Sequence, residues 1–95
     1  MATGDSGTGS AHAPRRVPLV MPDLGVTTPA AVSLWLMREG ATVLAGDRVV
    51  ELVAGGVTID LEAPVTGTLV AQLVDEDAPV VPGTVLAEFL PRGIA

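Results

Sequence analysis

The sequence predicts a small all-β domain made of two halves that share one core, and three observations predict it. Short valine-rich runs alternate with Gly, Pro and Asp along residues 17–91, and valine suits a pleated, half-buried surface. The runs on either side of Gly55-Gly56 read as the two strands of a hairpin, because glycine accepts the positive φ that a two-residue turn demands. Residues 39–52 can also be laid over residues 76–89, with Glu, Ala, Val, Gly and Glu recurring 37 residues apart. Each copy reads as a turn, a short strand, a glycine turn and a longer apolar strand. Neither copy could bury its apolar face alone, so the two are expected to interlock around one core.

Taken in order, residues 1–16 are Gly, Ser, Thr, Ala and Pro with little apolar content, too little to offset the entropy of ordering them, and read as a disordered leader. Arg15-Arg16 is followed only by a short run broken by Pro18, Pro22 and Asp23, which does not make a twin-arginine or secretory signal. His12 lies in the leader without a second ligand and makes no metal site. The domain is expected to span 17–91, with 92–95 a frayed end or the start of a linker.

Residues 17–21 read as the first strand and Pro22-Asp23-Leu24-Gly25 as the bend leaving it, with Asp23 hydrogen-bonding its own backbone. A loop with Val26, Thr27 and Thr28 leads to residues 30–37, apolar apart from Ser33. Their length and Val32 favour a strand over a helix. Trp35 is expected to be a packing residue with one N–H to satisfy. Beyond the hairpin, a strand over 58–62 runs into Ala63-Pro64. A further strand over 68–74 precedes the acidic turn Asp75-Glu76-Asp77, and Leu90-Pro91 closes the second copy.

Composition excludes several functions. The net charge of −6 argues against nucleic acid and anionic membranes as partners. Cysteine is absent and the lone histidine is in the leader, so Ser-His-Asp and Cys-His catalysis are excluded. Asp75 and Asp77 at a turn tip are expected to be a solvated bend, far short of the six to eight oxygens calcium takes. Gly55-Gly56 has no following helix N-terminus and so is not a phosphate loop. No catalysis is expected in these 95 residues.

Met21-Pro22-Asp23-Leu24-Gly25, the hairpin, and Ala63-Pro64-Val65-Thr66-Gly67 together resemble the lipoyl domains of 2-oxoacid dehydrogenase acyltransferases. The resemblance implies a flattened β-barrel or sandwich of two four-stranded sheets related by a pseudo-two-fold axis. In that family the hairpin turn carries Asp-Lys-Ala, and the lysine is lipoylated. The aligned triplet here is Gly55-Gly56-Val57, so Gly56 stands at the attachment position. All five basic residues are arginines, and lysine is absent throughout. A lipoyl or biotinyl amide needs a lysine amine, which the permanently protonated guanidinium cannot replace. No cofactor is therefore expected. The family's surface loop beside the hairpin contributes to partner recognition; where many relatives have an acidic residue and glycine, this chain has Val26-Thr27-Thr28. Val26, Thr27, Thr28, Gly55 and Gly56 are the candidate partner-recognition residues.

Two functions follow from the resemblance. In one, this is the N-terminal, non-lipoylated domain of a dihydrolipoamide acyltransferase-like enzyme. It would serve docking or architecture, and its partners would be the parent's catalytic domain and, by analogy with natural-product pathways, an acyl carrier protein bearing the acyl group. In the other, it is a free-standing, non-catalytic interaction module. A membrane-fusion adaptor would require a long helical hairpin between its halves, and a glycine-cleavage carrier would require the missing lysine. The isolated domain is expected to be a cytoplasmic monomer.

Overall fold

The computed structural model describes residues 15–25 and 27–92. Eight strands and no helix occur among them: β1 (Val17–Val20), β2 (Ala30–Trp35), β3 (Thr42–Val43), β4 (Arg48–Ala54), β5 (Val57–Glu62), β6 (Gly67–Gln72), β7 (Pro79–Val80) and β8 (Val85–Pro91). They form two four-stranded sheets, ordered β1-β8-β6-β3 and β5-β4-β2-β7, with every pair antiparallel. The expected all-β sandwich of two four-stranded sheets is the fold observed. The expected leader lies almost wholly outside the described residues, as do Val26 and residues 93–95.

The internal repeat is a two-fold relation that reaches the level of register. β2, β3 and β4 recur as β6, β7 and β8 at the same 37-residue spacing. Ala30 opposite Val80 in β2–β7 has its mate in Gly67 opposite Val43 in β3–β6. The bulge between Val32 and Leu34 has its mate between Leu69 and Ala71. β5 lies on β4 as β1 lies on β8, each pair with a register shift at the same place. That shift is why two neighbouring residues are buried in each long strand, Val49-Val50 in β4 and Leu86-Ala87 in β8. A bulge spends one residue without a partner and so allows two adjacent side chains inward.

Strands end earlier than the apolar runs that encode them. Residues 30–37 pair only to Trp35, because Leu36 N and Met37 N both turn to Val49 O, at 2.8 and 3.3 Å. Leu73 N likewise turns to Leu86 O at 2.9 Å, so β6 ends at Gln72 rather than at Val74.

The core fills the space between the sheets with Phe89, Leu52, Leu69, Leu86, Val32, Val43, Val49 and Val50, all fully buried. Mates differ in volume: Leu52 matches Phe89, Val32 matches Leu69, and Val50 matches Ala87. Trp35 packs at the edge of this core, and its Nε1–H donates to Val74 O at 2.9 Å. Its mate Gln72 donates Nε2–H to Met37 O at 2.7 Å. Trp35 is thus the packing residue expected of it, with its N–H satisfied within the fold.

Two carboxylates tie the halves together. Trp35 N donates to Glu76 Oε2 at 2.9 Å, and the mated Gln72 N donates to Glu39 Oε2 at 2.8 Å. Each glutamate precedes the short strand its half contributes to the opposite sheet. Asp75 and Asp77 are exposed, as a solvated bend requires, and Glu76 between them, exposed as well, accepts the Trp35 amide. Asp77, at φ 70, takes the left-handed conformation its mate Gly40 takes at φ 92, a region aspartate tolerates better than most residues.

Gly67 tolerates no side chain, because a Cβ there would overlap the carbonyl of Leu90. Gly67→Ala is expected to cost about 1–3 kcal/mol, as overpacking against backbone does, read as a lower urea midpoint. Glu39→Ala and Glu76→Ala should each cost about 1 kcal/mol through the lost amide partner, whereas Asp75→Ala should leave the midpoint within about 0.5 kcal/mol of wild type. Equal effects at all three positions would contradict the assignment of Glu39 and Glu76.

Candidate functional site at the hairpin tip

From Val50 opposite Leu61, β4 and β5 pair without a break to Ala54 opposite Val57, leaving Gly55 and Gly56 as a two-residue turn. Both have positive φ, 59 and 82, the requirement of a type I′ turn, whose twist matches that of the flanking strands. The two positions differ in surroundings. A Cβ at Gly55 would lie 3.2 Å from Thr28 Oγ1, whereas one at Gly56 would meet nothing within 4 Å. Position 56 thus projects into open space, and position 55 is flanked by the β1–β2 loop.

The structure places Thr28 beside Gly55. Thr27, Gly56 and Val57 are exposed beside them, with Val57 59% exposed. Val26 lies outside the described residues. Asp23 accepts from Gly25 N at 2.9 Å through Oδ1, the local turn bond expected of it. Trp35 sits at the far end of β2 from the tip, since Ala30 is the β2 residue opposite Ala54. His12 lies outside the described residues. Among the described residues no three His, Cys, Asp or Glu side chains converge on a possible metal position, and no helix is long and apolar enough to cross a membrane.

Charge is unevenly distributed around the tip. Residues 27–31, 53–58 and 78–82 carry no ionisable side chain. The ion pairs lie elsewhere: Arg48 Nη1 is 3.5 Å from Asp60 Oδ2 along the hairpin, and Arg16 Nη1 is 3.1 Å from Glu88 Oε1 on the other sheet. Exposed pairs of this kind contribute at most about 1 kcal/mol.

Sequence reasoning missed a groove beside the tip. It has a volume of about 190 Å³ and runs between the β1–β2 loop and the turn after β7. Leu24, Pro29, Val81 and Pro82 line it, with Met21 and Val80 from the core beneath. The available signal was the length of the β1–β2 connection, far longer than the mated connection between β5 and β6.

Comparison with known proteins agrees with this architecture. Residues 17–89 match the family model described as "Biotin-requiring enzyme". The chain is 38% identical over 73 residues to the dihydrolipoyllysine-residue acetyltransferase component of the pyruvate dehydrogenase complex of Mycobacterium bovis, covering 76% of this chain and 13% of that protein. The same component of Mycobacterium tuberculosis matches to the same extent. That of Corynebacterium glutamicum is 37% identical over 70 residues, covering 73% of this chain and 10% of its own length. The chain thus spans only a small part of the curated relatives it matches. The two-fold strand register, the hairpin and these matches together place the chain in the biotinyl/lipoyl-domain family, as a lipoyl domain related to the acetyltransferase component of pyruvate dehydrogenase complexes.

Proposed function

We propose that this is a non-lipoylated lipoyl domain that serves protein docking or architecture within an acyltransferase-like enzyme, rather than acting as a swinging arm. One observation carries the proposal: the hairpin tip is Gly55-Gly56 in a sequence with no lysine. On the resemblance of the hairpin, Gly56 is read as standing where the family carries its attachment lysine. Without an amine to acylate, the domain holds no lipoyl thiol, and acyl groups reach the parent's catalytic domain on another carrier. A phosphopantetheine thiol on an acyl carrier protein supplies the equivalent thioester chemistry. The domain then contributes binding energy and position, which raise the effective concentration of the carrier without taking part in bond making.

The tip geometry makes the loss of acceptor testable. Incubated with lipoate ligase, lipoate and ATP, the wild-type chain is expected to keep its intact mass. Gly55→Asp with Gly56→Lys is expected to gain one lipoyl amide at position 56, where a side chain meets open space. Placing a lysine at φ 82 costs about 1–2 kcal/mol, so the variant remains folded only if the wild-type margin exceeds that. A lipoylated wild-type chain, isolated from its own cells, would sink the proposal.

The intact mass of the native gene product separates this reading from that of a free-standing interaction module, which would appear at 9.6 kDa. In a larger acyltransferase, deleting residues 1–92 is expected to raise KM for an acyl carrier protein thioester by about tenfold or more while leaving kcat for a small acyl thioester unchanged. A parallel loss of both would assign the domain to catalysis.

A further inference from the structure

The two-fold relation shows which part of the molecule the fold itself does not require. The mate of the β1–β2 loop is the short link between β5 and β6, and that link is closed onto its neighbour: Ala45 N donates to Thr66 Oγ1 at 2.9 Å. The mate of Ala45 is Pro82, which has no N–H to donate. The longer β1–β2 loop instead leans towards the hairpin, with Thr28 beside Gly55. The groove of about 190 Å³ opens between this loop and Pro82. Val81 lines it and, at 65% exposed, is the most exposed large apolar residue among those described.

The size and charge of the groove select its occupant. Its volume falls below the roughly 300–1,000 Å³ of small-molecule sites and suits one large apolar side chain. No lining residue is cationic, and Asp23 is the only charged one. An anionic group would therefore find no counter-charge there, and the chain around it has a net charge of −6. We propose that this groove docks a basic segment of a partner protein, which inserts one leucine, methionine or phenylalanine side chain beside Val81 and sets a flanking Arg or Lys near Asp23. Apolar anchors in desolvated pockets carry most of the energy of such contacts, and charge complementarity carries on-rate and selectivity. This inference rests on the docking role proposed above and gives that role a partner chemistry.

The test is a ¹⁵N–¹H titration of the full 95-residue chain with a short synthetic peptide bearing a central leucine flanked by arginines. Shifts are expected at Leu24, Thr27, Thr28 and Val81 and not along β5 or β6. Replacing the peptide's leucine by alanine should weaken binding about tenfold or more, as should Val81→Ser, an exposed substitution that leaves the core untouched. Asp23→Asn should weaken the arginine peptide and not an uncharged one. Shifts spread over the whole acidic surface, or equal binding of the alanine peptide, would overturn the proposal, as would no binding. Movement of the same amides by butyryl-N-acetylcysteamine but not by the peptide would assign the groove to an acyl arm and equally overturn it. The mass measurement after lipoate ligase treatment is independent of these shifts, so failure of the groove and failure of the non-lipoylated reading are distinguishable.

Discussion

The exchange of two short strands holds this molecule together. β3 and β7 are each two residues long, and each completes a sheet whose other three strands come from the opposite half. A two-residue strand has almost no stability of its own, and a two-stranded hairpin is marginal in water. The exchange is sustained because the segments around it are hydrogen-bonded reciprocally. Gly40 N and Asp77 N donate to Leu69 O and Val32 O at 2.8 and 2.7 Å, while Glu39 and Glu76 accept from Gln72 N and Trp35 N. Every one of these bonds joins one half to the other. Unfolding either half therefore strips the partners from its mate, which gives a small domain with a modest core its cooperativity.

Against this symmetric frame, the asymmetric features are the informative ones. The mates of the hairpin ends lie where β8 runs out and β1 begins, so the two-fold operation carries the Gly-Gly turn onto a place where no turn joins the two strands. The second departure is the long β1–β2 loop, which both flanks Gly55 and opens the groove. Loops positioned by a rigid scaffold are where binding residues concentrate, because they change without disturbing the core. The core does depend on its close approaches, as Gly67 against Leu90 shows.

The tip is a tight turn with no side chain at its two central positions, Gly55 and Gly56. A type I′ turn preserves the hairpin's twist, and the open space around position 56 remains as it would be for a projecting side chain. Charge is absent from the segments around the tip while the rest of the chain is acidic. The uncharged tip presents backbone and small apolar side chains.

What the sequence determined by itself are the features that local chemistry dictates. The Val-rich runs required strands, Gly55-Gly56 required a tight hairpin, and the Glu39–Glu76 spacing required two equivalent halves. The absence of lysine is likewise plain without reference to any coordinate. Tertiary structure decided what depends on partners distant in the chain. The bond from Trp35 N to Glu76 joins residues 41 apart, and no periodicity records such a bond. The same holds for the early ends of β2 and β6, set by Val49 and Leu86, and for Thr28 meeting Gly55. Propensity and pattern act over a few residues, whereas register, exchange and grooves are settled by which surfaces pack together.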